Sequence, residues 1–186
     1  LLAAADRLQT VDQRRDLAER WRIWRREKAS RAADDRDAGV ASAAVFAELS
    51  DAVAPDAVIA VDVGNNTYSF GRYFECRAQT VLMSGYLGSI GFGVPAAMGA
   101  WAAVQADGSG RQIVAVAGDG GLGQYLAELT TLVKYSMNIT VVVLNQVDLL
   151  SPEDLRECVE DLRRLLDADG LAGVPVLTSS TVKEPG

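Results

Sequence analysis

Ile113-Val114-Ala115-Val116-Ala117-Gly118-Asp119-Gly120-Gly121 is an apolar run that closes on an acidic, glycine-rich turn. The pattern predicts a strand over 113–117, a helix over about 122–135, and a second strand from Ile139 to Leu144 that ends at Asn145. Strand, turn, helix and strand in that order make a unit with parallel strands. It sets a carboxylate and an amide side by side at the carboxyl ends of neighbouring strands, where open α/β sheets bind ligands. Glycines flanking Asp119 let the backbone approach a phosphate closely. A hard oxygen donor beside such a cradle suits a Mg²⁺-bridged diphosphate. A lone Gly-Asp-Gly also occurs as a plain tight turn, so the weight rests on the spacing to Asn145 and on what lies upstream.

Upstream, residues 58–63 are apolar on both faces, as a buried parallel strand requires, and Val81-Leu82 makes a shorter one. A helix is expected over about 40–53, ended by Ala54-Pro55-Asp56. Another carries Pro95 in its first turn and runs to about Val104. This alternation predicts an α/β fold, a doubly wound, mostly parallel sheet with helices on both faces. Residues 1–28 read as a helix, from the near-helical spacing of Leu8, Val11, Leu17, Trp21 and Trp24, and residues 25–37 as a solvated charged linker. Ser151-Pro152-Glu153-Asp154 has the makings of a helix start, with that helix running to about Asp167 and a last strand over 174–177. The organisation expected is a helix and linker over 1–39, a core over 40–145 and an α/β tail over 146–186.

The 186 residues, 49% of them hydrophobic, suffice for one substantial core. A net charge of −7, with no basic patch standing clear of acids, argues against nucleic acid as a partner. No apolar run approaches the length of a membrane span. With no histidine, acid–base chemistry must come from carboxylates, a cofactor or another chain. Cys76 and Cys158 lack metal-ligand spacing and read as free thiols of a reducing, cytoplasmic compartment. The opening Leu1-Leu2-Ala3-Ala4-Ala5, which meets charge at once and has no leading Met, reads as the start of a fragment rather than a signal peptide.

Three blocks, Asp62-Val63-Gly64-Asn65-Asn66, the glycine-rich run 85–100 and Gly118-Asp119-Gly120-Gly121, together resemble the diphosphate-binding domain of thiamine-diphosphate enzymes. The branch resembled is that of pyruvate oxidase and acetolactate synthase, and the likeness runs from about Val40 to Asn145. It implies thiamine diphosphate and Mg²⁺ as cofactors. Asp119 takes the place of the first metal ligand. The family's second ligand is normally the second of two Asn, where this chain has Asn145-Gln146, so either amide is a candidate; the third is a carbonyl near Asp148. A Gln is one methylene longer than Asn, and Mg²⁺ tolerates little geometric slack.

By the same resemblance Gly120, Gly121, Gly64, Asn65 and Asn66 contact the diphosphate. Gly88-Ser89-Ile90 grips the aminopyrimidine, with Ile90 wedged between the two rings. From the residues alone, Gly64-Asn65-Asn66 reads equally as a turn and Ile90 as core packing. The family's activating Glu comes from a domain that this chain lacks. The resemblance therefore implies half of a composite site, with no catalytic residue of its own, completed in a homodimer or by a partner domain. FAD is expected only in a full-length parent.

After Asn145 the pattern changes. Asn145-Gln146-Val147-Asp148, the Ser151 helix and Thr178-Ser179-Ser180 resemble the last third of a GTPase domain, while no P-loop is present. This reads as a mosaic joined within a shared strand, the alternative being a divergent tail. Three functions follow: a thiamine-diphosphate module of an enzyme acting on 2-oxo acids, a guanine-nucleotide-binding fragment, or a silent α/β domain. Apolar surface around 70–74 and the glycine-rich block is expected to be exposed.

Overall fold

The computed structural model describes residues 11–34, 40–144 and 151–168. Four strands, β1 (Val58–Val61), β2 (Thr80–Met83), β3 (Ile113–Gly118) and β4 (Ile139–Leu144), form one all-parallel sheet in the order β2-β1-β3-β4. Every side chain of β1 is buried, as are those of β3 up to Ala117. Strands this apolar on both faces can lie only between two helical layers.

The layers are α2 (Ser42–Ala52) and α3 (Asn65–Tyr73) on one face, α4 (Gly93–Asp107), α5 (Asp119–Gln124) and α6 (Glu128–Lys134) on the other. On the first face Phe46, Phe70 and Phe74 pack on Ile59, Val61, Val114 and Val116, with Phe70 edge-on to Phe46 and stacked on Phe74. On the second, Val94, Ala97 and Val104 cover Val58, Ala60, Ile113 and Ala115. The alternation along β1 and β3 thus assigns odd and even residues to different cores. Before and after this unit lie α1 (Arg14–Ala32) and α7 (Pro152–Ala168). The doubly wound reading of the sequence is met.

Three expectations need correction. The helix foreseen over 122–135 is two short helices. It starts at Asp119, and at 125–130 the backbone bonds run three residues back, as from Tyr125 N–H to Leu122 O and from Glu128 N–H to Tyr125 O. Three glycines within six residues make α5 a weak helix, and Tyr125 turns against Gly91 instead of extending it.

The charged linker is, up to Ala32, part of α1, and it is not free of the domain. Trp24 Nε1 donates to Arg72 O at 2.8 Å, while Arg25 and Lys28 both pair with Glu75. Residues 1–10 lie outside the described residues, so the first helix is seen only from Arg14, and none of its side chains is buried. Finally, Phe70 and Phe74 are core residues. The exposed apolar surface foreseen there is confined to the glycine-rich block.

The Ser151-Pro152 start is met by α7, whereas the strand foreseen over 174–177 lies outside the described residues. No described helix is long and apolar enough to cross a membrane.

Candidate functional site at the carboxyl edge of the sheet

The helix after β1 lies on one face and the helices after β3 on the other, so the chain reverses direction across the sheet between these two neighbours. Such a switch point leaves a crevice outside the carboxyl ends of the two strands. Asp62 follows β1 there and Asp119 follows β3. The three glycine-bearing segments meet at this place.

Asp62 joins them. It is 1% exposed, and its Oδ1 accepts from the N–H groups of Val63 at 2.7 Å, Gly91 at 2.8 Å and Phe92 at 3.1 Å. Its backbone N–H donates to Val116 O, and its carbonyl accepts from Asn66 Nδ2 at 2.8 Å and from Thr67 Oγ1. Its Oδ2 is buried with no hydrogen-bond partner among the described residues and lies against Gly121, where a Cβ would overlap it. The carboxylate thus touches all three segments at once. Within its sequence motif Asp62 carries no role of its own. The available signal was an acid directly behind four wholly apolar strand residues.

Gly64 caps α3 with φ 142°, a conformation that side-chain-bearing residues rarely adopt. Asn65 is exposed. Asn66 is buried, spends its amide on Asp62 O, and puts Oδ1 between Gly64 and Gly118. It therefore holds the turn. Asp119 is exposed, opens α5, and has no hydrogen bond or ion pair among the described residues; Gly120 is exposed beside it and Gly121 is buried.

Gly88 has φ 61°, with open space where a side chain would stand, and Ser89 N–H reaches Ser84 Oγ at 3.3 Å. Ile90 is 47% exposed, so core packing does not account for it. Tyr86 at 98% and Leu87 at 82% are more exposed still. Asn145, Gln146 and Asp148 lie outside the described residues. Among the described residues no three His, Cys, Asp or Glu gather as a metal cluster, and Cys76 is a free thiol.

The donor set fits a diphosphate with a divalent cation in kind. A carboxylate unpaired among the described residues, exposed glycine backbone and an exposed apolar side chain lie on the segments that meet at Asp62. Asp119 would hold the metal, and Ile90 would meet an apolar ring.

Fold and topology together define an α/β domain of the doubly wound class. Residues 62–147 match the family model described as the thiamine pyrophosphate enzyme C-terminal TPP binding domain. The resemblance read from the glycine blocks therefore holds over this stretch.

A Bacillus subtilis (strain 168) protein, YdaP, provisionally named as thiamine pyrophosphate-containing, is 42% identical over 106 residues; the match covers 56% of this chain and 18% of that protein. Acetolactate synthase isozyme 3 large subunit of Escherichia coli (strain K12) is 30% identical over 146 residues, covering 78% of this chain and 25% of that one. An X-ray structure from Mycobacterium smegmatis, provisionally described as a thiamin diphosphate-dependent enzyme, is 26% identical. It aligns with a TM-score of 0.47 over 55% of this chain and 20% of that chain. The chain thus spans a quarter or less of the length of these relatives.

Proposed function

We propose that this chain is the thiamine-diphosphate- and Mg²⁺-binding half of an enzyme that decarboxylates or joins 2-oxo acids, and that it is inactive alone. The observation that carries this reading is the meeting of three glycine-bearing segments on Asp62 at the switch point, with Asp119 unpaired and Ile90 uncovered beside them. The cofactor supplies carbanion stabilisation when bound.

The chain's own residues bind and orient. Asp119 holds the metal with an amide from Asn145 or Gln146 and a carbonyl near Asp148. Gly64, Asn65, Gly120 and Gly121 receive the diphosphate. Gly88, Ser89 and Ile90 hold the aminopyrimidine. No residue here moves the proton that starts the chemistry. A Glu from a second copy or a partner domain does so, and Tyr86 and Leu87 offer that partner an apolar surface. The working division is a helical lead over 1–39, the cofactor core over 40–145 and a separate tail over 146–186.

Titration calorimetry of the purified chain with thiamine diphosphate tests the reading. Saturable heat that needs Mg²⁺ and vanishes with a chelator is expected, with no carbon dioxide released from pyruvate. Heat with GDP and none with thiamine diphosphate would overturn it in favour of a guanine-nucleotide fragment.

A further inference from the structure

We infer that Asp62, buttressed by Tyr125, is a positioning residue that ties segment 88–92 to the turn 118–121, and so lets the two ends of one cofactor be held together. The inference rests on the thiamine-diphosphate reading above. Asp62 spends one carboxylate oxygen on the N–H groups of Gly91 and Phe92 and lays the other, without a partner, against Gly121. A buried carboxylate oxygen without a partner is costly, and packing alone does not call for one.

On its other side Gly91, at φ 88°, is backed by the ring of Tyr125 and by Gln124 Oε1, which a Cβ at that position would strike. The residue next to Ile90 is thus clamped between Asp62 and the break separating α5 from α6. The rest of the loop has no such hold. Gly85 and Gly88 have open space around them, and Tyr86 and Leu87 stand in solvent. A ligand that must meet both the 118–121 turn and Ile90 gains from having that distance fixed beforehand, because the loop then need not be ordered on binding. A ligand that meets only the turn gains nothing from it.

Two probes separate these cases in calorimetry with Mg²⁺: thiamine diphosphate, which has both ends, and inorganic diphosphate, which has one. In Asp62→Asn, thiamine diphosphate is expected to weaken about tenfold while inorganic diphosphate changes by less than about twofold. Tyr125→Ala, at a partly exposed ring, should shift the ratio in the same direction, and it carries the test if Asp62→Asn does not fold. An equal loss for both probes, or no loss for either, overturns the positioning role and leaves the cofactor reading standing. Failure of the unaltered chain to bind either probe overturns that reading, and this inference with it.

Discussion

The crevice has two unlike sides. Around Asp62 nearly every polar atom is committed, glycines admit backbone to within contact of the carboxylate, and the carboxylate itself is buried. A few residues away, 85–90 form a rim with Tyr86, Leu87 and Ile90 open to solvent. The first side is made by the chain for itself, because its partners are the strands and turns of the same sheet. The second presents apolar groups that nothing among the described residues covers, as a recognition surface does. Stability and binding should therefore respond to different residues within one short stretch.

Gly93→Ala should break the buried side. A Cβ there meets Asp62 Cβ at 3.0 Å, Val116 O at 3.2 Å and Asp62 N at 3.3 Å, so backbone on two counts must give by a few tenths of an ångström. Urea denaturation should show a loss of about 1–3 kcal/mol, as overpacking gives; an unchanged midpoint would show that this side is looser than described. Ile90→Ala should leave stability within about 0.5 kcal/mol, as an uncovered residue allows, yet weaken thiamine diphosphate binding. If the melt of the free protein falls sharply instead, Ile90 belongs to the core.

The smallest effect concerns α1, held by charge and by Trp24. Arg25 beside Glu75, helped by Lys28, keeps the Glu75 carboxyl below its ordinary value of 4.5. A depressed pKa adds stability above the ordinary value that is lost as pH falls through the depressed one. Acidification below about 4.5 should therefore loosen α1 and change the fluorescence of Trp21 and Trp24. Glu75→Gln should flatten that pH dependence, and a variant with the same acid transition would show that Glu75 is not its source.

The sequence made the sheet legible because its signals are local. Three apolar runs without alternation mark β1, β3 and β4, and Ser151-Pro152 marks the start of α7. Gly118-Asp119-Gly120-Gly121 located the crevice because a glycine-flanked acid behind a strand has a position as well as a chemistry. What escaped depends on partners distant in sequence. Asp62 looks like a turn residue until Gly91 and Phe92, some thirty positions on, are seen to bond it. The glycines of α5 make the break at Tyr125 a local matter, but the packing of its ring on Gly91 is not local. The 24–32 segment looks like a free linker until Glu75 and the Arg72 carbonyl are brought beside it. Phe70 and Phe74 looked exposed only while their partner Phe46 was out of view.

The most direct test is a thermal melt of the whole chain with Mg²⁺ alone and with Mg²⁺ plus thiamine diphosphate, repeated for Asp119→Ala. At about 100 times its Kd the ligand should add about 2.7 kcal/mol, a shift of several degrees for a chain of this size. Asp119→Ala should melt like the unaltered chain without ligand, since Asp119 is exposed and unpaired among the described residues, and should lose the shift with it. A chain that melts at the same temperature with and without thiamine diphosphate, or an Asp119→Ala variant that keeps the full shift, would contradict the account.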